Sequence, residues 1–441
     1  MSEQSRQSRA LAVPSGRLTR MGRMGAMAAG VAGRMAVDGA RQWGQGARPQ
    51  TRDLLLTPAN MARITNELTR MRGAAMKLGQ LVSMDSGDVL PPELEAILAR
   101  LRADADFMPP KQLRDVLDAE WGAGWRRRFA AFDVRPVAAA SIGQVHKARL
   151  PDGTELAVKV QYPGIAQSID SDVANLGLLV RMSGLLPKGF ELAPYLEEAR
   201  KQLHEEADYA AEAAHLNAFR ALLDQDSDVL LPQIAQDLST PRVLAMTFAH
   251  SDPIETLSAA PQGERDHAAQ VLCALMLREV FEFGLMQTDP NFANYRYAPE
   301  AQRIVLLDFG ATRGLPKALV ADMRALLSAG MAGDADAVSE ITARIGLVPH
   351  SIPDTFRRRI LGMIDEVFQE VRAAPVLDLA ASDLSRRLQQ QGEALARDGF
   401  VPPPVPIDLL FVQRKVAGMF LLAARLGARV PVQKLLEPYV T

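Results

Sequence analysis

Residues 287–313 read QTDPNFANYRYAPEAQRIVLLDFGATR. Asp289 and Asn294 stand five positions apart in a polar segment, and Asp308 follows Asn294 by fourteen residues. The run from Arg303 to Leu307 is short and apolar, as is typical of a buried strand. Asp308-Phe309-Gly310 therefore comes where that strand ends, and Asp289, Asn294 and Asp308 offer two carboxylates and one amide at fixed spacing.

These residue types at this spacing point to phosphoryl transfer. In that chemistry one carboxylate orients the nucleophile, an Asn and a second Asp hold Mg²⁺ on the phosphates, and a lysine neutralises phosphate charge. The Asp-x-x-x-x-Asn spacing is that of a kinase catalytic loop. Each piece alone is common, however, and an Asp-Phe-Gly in a loop is usually a plain turn.

A candidate for the lysine lies in a predicted β-hairpin. Residues 144–150 and 155–161 are β-rich runs joined by Pro151-Asp152-Gly153-Thr154, a strong turn signal. Lys159 alternates with the apolar residues of the second run and so faces away from them. A lysine in so apolar a strand needs a partner or an anionic ligand. The alternative is a partly exposed lysine that reaches water.

The rest of the pattern is mostly helical. Helices are predicted over 58–83, 93–102, 111–121, 170–186 and 194–223, a strand over 243–247, and almost only helix from Ala268 onward except 303–307. The helix over 194–223 is expected to turn inward Leu196, Leu203, Ala207, Ala210 and Ala214. Helices, then a small β-containing region, then a helix-rich region predict an α+β fold with two lobes.

Length and composition limit the class of protein. The chain has 441 residues, 48% of them hydrophobic, which favours two or three domains with a large core and excludes general disorder. Cys273 is the single cysteine, so a disulfide scaffold and a Cys-rich zinc site are excluded and a reducing compartment is favoured. The six histidines include no His-x-x-x-His pair, which disfavours a zinc metalloprotease.

The first fifty residues form a basic arm. They hold eight arginines against Glu3 and Asp38, a charge of +6, whereas the rest of the chain carries −8. Such an arm suits a membrane surface or nucleic acid, and the alternative is a solvated tail. One apolar side of a helix predicted over 20–37 comprises Met21, Met24, Ala28, Val31 and Met35.

Membrane-spanning segments are not predicted. No apolar run reaches the ~20 residues that a spanning helix needs. The run 416–424 is apolar but is bounded by Arg414, Lys415 and Arg425. The Arg-rich start of the chain also resembles an organelle transit peptide.

Six motifs together resemble the UbiB/ADCK family of atypical kinase-like proteins, and within it the ubiquinone-biosynthesis branch of mitochondria and bacteria. The motifs are Lys77-Leu78-Gly79-Gln80, Ala138–His146, Val158–Gln161, Glu206–Tyr209 with Glu212, Gln287–Asn294 and Leu307–Arg313. The resemblance implies a protein-kinase-like fold with a small β-containing N-lobe, a helical C-lobe and an N-terminal helical extension that covers the active site.

The resemblance also implies roles for individual residues. Lys159 would contact the nucleotide phosphates and pair with Glu212, and Asp289 would stand in the catalytic-base position. Asn294 and Asp308 would be the Mg²⁺ ligands. The implied cofactors are ATP or ADP and Mg²⁺.

Residues 138–145 occupy the place of a glycine-rich phosphate loop. The nucleotide-binding set implied by the family comprises Ala138, Ala139, Ala140, Ser141, Gly143, Ala157 and Lys159. Glycines let backbone N–H groups approach phosphate closely. Alanines in their place are expected to change nucleotide handling, and in the family this loop goes with unusual nucleotide preference and weak kinase activity. By itself the segment is typical of the start of a strand rich in small residues.

A family-specific cover of the active site comprises Lys77, Gln80, Glu206 and Asp208. Lys77 and Gln80 are three positions apart and share one face of a helix. The resemblance implies that both side chains point into the active site and that Lys77 pairs with Glu206. It also implies that the helical extension covers the groove where a protein kinase binds its peptide, which argues against peptide substrates. Without the family, Lys77 would be a solvated helix lysine. Of the neighbours Glu205 and Glu206 one must face solvent, and the residues alone do not show which.

Three departures bear on function. Gln287-Thr288-Asp289 stands where protein kinases have His-Arg-Asp, and no Ala-Pro-Glu follows Asp308-Phe309-Gly310. The loop reads Asp-Pro-Asn-Phe-Ala-Asn instead of the Asp-Pro-His-Pro-Gly-Asn common in the wider family, which favours the ubiquinone branch. The absence of two C-terminal transmembrane helices separates the chain from the typical bacterial UbiB form.

Four regions are predicted: a basic, membrane-associating arm (1–50), a helical Lys-x-Gly-Gln extension (51–128), a kinase-like N-lobe with inserted helices (129–250) and a helical C-lobe (251–441). The predicted function is Mg²⁺-dependent ATP binding with slow hydrolysis, supporting ubiquinone biosynthesis at a membrane surface. Two alternatives stay open: a true kinase acting on a small molecule, a lipid or a protein, and a non-catalytic lipid-binding or scaffolding protein.

The expected partners are membrane lipids, intermediates of the ubiquinone pathway and other proteins of that pathway. A homodimer is left open, and no nucleic acid is expected. The expected location is cytoplasmic and peripheral to the inner membrane in a bacterium, or mitochondrial in a eukaryote.

Overall fold

The computed structural model describes residues 107–183, 191–289, 291–403 and 405–440, together with Gly30, Gly33, Arg34, Met35, Val37, Arg41, Trp43, Thr57, Gly73, Ala74, Ala75, Lys77 and Leu78. The chain forms two compact units. The first comprises residues 1–214 and 233–248, and the second comprises residues 215–232 and 249–441.

Helices and strands both contribute to the described chain. Between residues 107 and 440 the α-helices are α1 Pro110–Trp121, α2 Ile165–Ser183, α3 Ala193–Glu206, α4 Tyr209–Leu222, α5 Gln262–Arg278, α6 Lys317–Ala332, α7 Ala335–Arg344, α8 Asp354–Ala373, α9 Leu384–Arg397, α10 Ile407–Leu426 and α11 Val432–Leu436. The strands are β1 Ala131–Phe132, β2 Ala138–Ala139, β3 Gly143–Arg149, β4 Glu155–Gln161, β5 Val229–Leu230, β6 Val243–Thr247, β7 Asp252–Pro253, β8 Leu285–Gln287, β9 Tyr295–Ala298, β10 Arg303–Leu306, β11 Thr312–Gly314, β12 Leu377–Asp378 and β13 Arg429–Val430. This mixture confirms the predicted α+β class.

The first unit contains an antiparallel sheet of five strands. Its strands lie in the order β1-β3-β4-β6, and β2 also pairs with β3. β3 and β4 form the predicted hairpin, and β6 has the bounds predicted for it. Gly153 closes the hairpin turn at φ 93°, a left-handed conformation that glycine adopts without steric cost. Lys159 lies near the middle of the sheet, opposite Val145 of β3 and Leu244 of β6.

One face of this sheet is buried against α1. The apolar side of β4, formed by Leu156, Val158 and Val160, is at most 1% exposed and belongs to one cluster with Leu113 and Leu117 of α1. The neighbouring aromatic rings have centroids 4.9–6.4 Å apart and belong to Trp121, Trp125, Phe129 and Phe132. Because each fully buried aliphatic side chain contributes about 1.5–3 kcal/mol, this cluster holds the strand that carries Lys159 firmly in place.

The segment predicted as one helix over 194–223 is two helices, α3 and α4, so the prediction was wrong at its centre. The carboxylate of Asp208 accepts a hydrogen bond from the Ala211 N–H at 2.9 Å and caps the start of α4. The break changes the phase of the second helix. Leu203 is buried as predicted and Leu196 and Ala207 are half-buried, whereas Ala210 and Ala214 are exposed.

The second unit combines helices with small sheets. Its main sheet has the order β5-β10-β9-β7, with β5 parallel to β10, and two further pairs are β8 with β11 and β12 with β13. β10 is the strand predicted over 303–307. The prediction of almost only helix elsewhere after Ala268 was wrong, because the other strands there have two to four residues and are too short to show alternation. Cys273 lies buried in α5.

Part of the predicted N-terminal structure lies outside the described residues. Of the helix predicted over 58–83, the described residues are helical and buried, namely Gly73, Ala74, Ala75, Lys77 and Leu78. The helix predicted over 93–102 lies outside, as do Met21, Met24, Ala28 and Val31, while Met35 is helical. Among the residues described, none of the helices has the length and apolar character needed to cross a membrane.

Candidate active site

A buried ion pair joins Lys159 and Glu212 in the first unit. The Lys159 Nζ donates to both carboxylate oxygens of Glu212 at 2.9 Å. The two side chains are 11% and 2% exposed, and the Tyr209 ring centroid lies 5.1 Å from the Nζ. Two charge-assisted hydrogen bonds away from water fix the lysine head group in one place. The contact needs strand β4 of the hairpin, which carries Lys159. It also needs the interruption between α3 and α4, because α4 begins three residues before Glu212.

The alanine-rich segment forms the tight hairpin between β2 and β3. Of the nucleotide-binding set, Ala138 and Ala139 are exposed and Ala140, Ser141, Ala157 and Lys159 are half-buried. The Ala140 N–H donates to the Gly143 carbonyl at 2.9 Å. A Cβ on Gly143 would lie 2.5 Å from the Val160 carbonyl oxygen and 2.8 Å from the Tyr209 hydroxyl. Glycine is therefore required here because β3 packs closely on its neighbours.

Glu206 connects the hairpin to the helix that carries Lys77. One Glu206 oxygen pairs with the Lys77 ammonium, and the other accepts a hydrogen bond from the Ser141 hydroxyl. Lys77 is 5% exposed. A Cβ on Gly73, one turn earlier, would lie 3.2 Å from the Ser141 carbonyl oxygen, so the helix backbone itself lies against the hairpin. The structure brings these three side chains together.

The other two residues of the predicted cover stand apart from this cluster. Gln80 lies outside the described residues. Asp208 is exposed, and its carboxylate caps α4 through the Ala211 N–H. Its observed contact thus supports the helix that positions Glu212.

Sequence reasoning missed a polar chain formed by Gln144 and His146. The Gln144 Oε1 accepts the Met108 N–H at 2.8 Å, and its Nε2 lies 2.8 Å from the His146 Nε2. The His146 Nδ1 lies 2.8 Å from the Asp133 carbonyl oxygen, so Nδ1 carries the proton and Nε2 accepts from the amide. Burial lowers the pKa of His146, which keeps the ring neutral. The available signal was that both polar residues belong to the motif Ala138–His146 and to the predicted strand 144–150.

In the second unit, Asp289 and Asn294 are joined within their loop. The Asn294 Nδ2 donates to the Asp289 carbonyl oxygen at 3.1 Å. A short 3-10 turn, Phe292–Asn294, presents Asn294, and the Asn291 side chain caps that turn by accepting the Ala293 N–H at 3.2 Å. Because the Asn294 nitrogen is engaged by the loop, its Oδ1 is the atom left for a ligand.

Asp308 is tied to the same loop through backbone contacts. Its carbonyl accepts from the Gln287 Nε2 at 3.1 Å, and its carboxylate accepts the Gly310 N–H at 3.0 Å. The Leu307 N–H reaches the Asn294 carbonyl at 3.4 Å. Phe309 is buried, with its ring centroid 5.0 Å from that of Phe219. The structure thus brings into contact, within this unit, the backbone segments that carry Asp289 and the two predicted metal ligands.

Two neighbouring basic residues of α10 contact this loop, and sequence reasoning treated them only as the boundary of an apolar run. The Arg414 Nη2 lies 3.3 Å from the Asp289 Oδ1, and burial lowers the pKa of Arg414. Lys415 is 1% exposed and contacts Gln287 and Tyr295. The available signal was a pair of charges inside an otherwise apolar helix, since buried charges need partners.

The oxygen atoms of Asn294 and Asp308 suit a hard divalent cation. Mg²⁺ prefers oxygen ligands and is usually held by one or two protein groups together with substrate phosphates. Within the described ranges, no group of three His, Cys, Asp or Glu side chains forms a closed metal cage. The donor set therefore fits Mg²⁺ that arrives with a phosphate ligand.

Comparisons with known proteins place this geometry in a family. The ABC1 atypical kinase-like domain matches residues 100–342. The chain is 36% identical to "Atypical kinase COQ8, mitochondrial" of Saccharomyces cerevisiae, over 97% of this chain and 85% of the yeast protein. It is 36% identical to "Atypical kinase COQ8B, mitochondrial" of Rattus norvegicus, over 98% and 82% of the two chains.

A solved structure shows the same fold. The Rv3197–erythromycin complex from Mycobacterium tuberculosis aligns with a TM-score of 0.61 and 26% sequence identity, covering 88% of this chain and 96% of that one. The family resemblance inferred from the six motifs is thereby confirmed. The chain belongs to the ABC1 family of atypical kinase-like proteins.

Proposed function

We propose that this protein binds ATP with Mg²⁺ and hydrolyses it slowly, in support of ubiquinone biosynthesis at a membrane surface. The observation that carries the proposal is the Lys159–Glu212 pair, with two hydrogen bonds of 2.9 Å in a site almost closed to water. A lysine held so firmly on a central strand of a kinase-like chain is suited to bind phosphate.

Each residue has a proposed task. Lys159 contacts the nucleotide phosphates, and Glu212 holds its ammonium in position. Asn294 and Asp308 hold Mg²⁺, which neutralises phosphate charge when bound. Asp289 orients the attacking group, and its contact with Arg414 at 3.3 Å holds the carboxylate in one orientation.

The cluster of Lys77, Glu206 and Ser141 favours hydrolysis over transfer to a peptide. Glu206 engages the Ser141 hydroxyl, and the helix that carries Lys77 lies against the same hairpin. A hairpin held in this way has little freedom to adapt to a second substrate. Residues 51–128 would then serve as a cover for the hairpin of the kinase-like region 129–250.

The pathway is proposed from the relatives. Yeast and rat relatives carry the name COQ8 and are described as mitochondrial, and the motif resemblance is to the ubiquinone branch. We propose that membrane lipids and quinone intermediates are partners and that the basic arm 1–50 attaches the protein to an anionic membrane surface. The protein would act at the inner membrane of a bacterium or in a mitochondrion.

Nucleotide binding by the purified protein tests the activity. We expect binding of a fluorescent ATP analogue to require Mg²⁺, to be lost in Lys159→Ala and to need a higher Mg²⁺ concentration in Asp308→Asn. Lys147→Ala is the matched control, since Lys147 is a strand lysine paired with Glu155 at 2.8 Å outside the predicted site. Binding that survives Lys159→Ala unchanged would refute the proposal.

Gene deletion with quinone profiling tests the pathway. We expect the deletion strain to lose ubiquinone and the wild-type gene, but not Asp308→Asn, to restore it. Rescue by Asp308→Asn or Asp289→Asn would favour the scaffolding alternative. Labelled phosphate found in an acceptor, instead of as free phosphate, would favour a true kinase.

A further inference from the structure

Lys415 is a charged residue placed deep inside the second unit. It lies in α10, is 1% exposed, and pairs at 2.7 Å with Glu279, which is also 1% exposed. Burying two charges carries a large desolvation penalty, and replacing such a pair by apolar side chains is often neutral or stabilising. A contribution to stability therefore does not by itself account for this pair.

The ammonium of Lys415 holds both ends of the loop 288–294. Its Nζ donates to the Gln287 carbonyl at 3.1 Å and to the Gln287 Oε1 at 3.3 Å. It also donates to the Tyr295 hydroxyl at 3.0 Å, and that hydroxyl donates to the Gln287 Oε1 at 2.9 Å. Gln287 precedes the loop and Tyr295 follows it, so one cation fixes the two anchor points.

The same contacts lead to the predicted metal ligands. Gln287 donates through its Nε2 to the Asp308 carbonyl at 3.1 Å, and Tyr295 directly follows Asn294. Gln287 stands where ordinary protein kinases have the histidine of His-Arg-Asp. In this chain the orientation of that residue depends on a lysine 128 positions away.

The partner of Lys415 also lies at an unusual backbone position. Glu279 begins a π-helical turn, Glu279–Phe283, directly after α5. Such turns are rare and are found often at functional sites. Burial would lower the pKa of Lys415, but the Glu279 carboxylate and the hydrogen bond to the Tyr295 hydroxyl raise it above its ordinary value, so the side chain is an ammonium at neutral pH with all three donors available.

We propose that Lys415, neutralised by Glu279, is a positioning residue that fixes the loop 288–294 and through it the Mg²⁺ ligand Asn294. The link to Mg²⁺ rests on the proposed function, whereas the ordering of the loop does not. Removal of a group that orients a metal ligand without binding the metal itself typically lowers metal affinity or activity 10–100-fold.

Three variants separate positioning from stability. Lys415→Met combined with Glu279→Gln removes the ammonium and leaves no unpaired buried carboxylate. Lys415→Arg keeps the charge and the donors. Met419→Ala is the matched control, because Met419 lies one turn further along α10, is 2% exposed and is apolar, so its loss opens a cavity without removing a donor to the loop.

Two readouts are measured for each variant: hydrogen exchange of the peptide 287–295 in the free protein, and the Mg²⁺ concentration that half-saturates nucleotide binding. In the double variant we expect faster exchange and a half-saturating concentration about 10–100-fold higher, with partial restoration in Lys415→Arg. Met419→Ala is expected to lower the melting temperature and leave both readouts unchanged.

Wild-type exchange or an unchanged Mg²⁺ requirement in the double variant would overturn the proposal, as would a Met419→Ala variant that reproduces its effects. Absence of Mg²⁺-dependent nucleotide binding in the wild-type protein would instead refute the proposed function. In that case the exchange comparison alone decides whether Lys415 orders the loop.

Discussion

Neutralising Glu212 should destabilise the first unit by a predictable amount. Glu212→Gln leaves the Lys159 ammonium without a counter-charge, and removing one partner of a buried pair costs about 3–5 kcal/mol. Lys159 is 11% exposed, so water compensates part of the loss and we expect the lower limit, about 3 kcal/mol. Lys159→Met leaves Glu212, 2% exposed, alone in a drier place, and we expect about 5 kcal/mol.

The double variant, Lys159→Met with Glu212→Gln, tests the reasoning most directly. It contains no buried charge, so we expect it to lie within about 2 kcal/mol of the wild type. The two single losses would then be strongly non-additive, as expected for side chains that share two hydrogen bonds.

Intrinsic fluorescence during urea unfolding is a suitable assay. The chain has three tryptophans, and two of them, Trp121 and Trp125, lie in or against the core of the first unit. The signal therefore reports the unit that holds the pair. A double variant as unstable as the sum of the single variants would contradict the assignment of the loss to an unpaired buried charge, as would equal losses in the two single variants.

Further predictions concern three other positions. Gly143→Ala should lower stability by about 1–3 kcal/mol in a thermal melt, since the new Cβ would lie 2.5 Å from the Val160 carbonyl oxygen. The control Gly263→Ala, with open space around the new Cβ, should leave the melt unchanged. Burial lowers the pKa of His146 below its ordinary 6.5, so as the pH falls through that value the unfolded chain binds a proton that the folded chain does not, and stability declines. That decline should be smaller in His146→Gln when urea midpoints are compared between pH 7.5 and 5.5, and an equal decline would contradict the lowered pKa of His146. Asp208→Ala should cost about 1 kcal/mol through loss of the α4 cap while Asp208→Asn keeps it, and a loss of nucleotide binding at unchanged stability would show that Asp208 acts in the site instead.

Much of the first unit could be predicted because its signals are local. The β3–β4 hairpin follows from two alternating runs and a Pro-Asp-Gly turn, and β4 has the predicted bounds. β6 likewise follows from a mostly apolar run, as does β10 in the second unit. The break at Asp208 was missed because helical periodicity continues across it, and only the capping contact with Ala211 reveals a new helix.

The candidate site was predictable only in part, for a physical reason. Lys159, Asp289, Asn294 and Asp308 come from short motifs with diagnostic spacing. Lys415 and Arg414 meet the loop from positions more than 100 residues away. No pattern along the chain encodes such a contact, and a charge flanking an apolar helical run can equally face water.

The buried thiol of Cys273 makes the chain convenient to label. Cys273 is the single cysteine, and burial raises its pKa to about 12, so almost no reactive thiolate exists at neutral pH. Maleimide dyes should therefore leave the native protein unlabelled. A cysteine introduced at an exposed position, such as Gln413→Cys on α10, can carry a spin or fluorescent probe. Such a probe would report ligand-linked motion without prior replacement of Cys273.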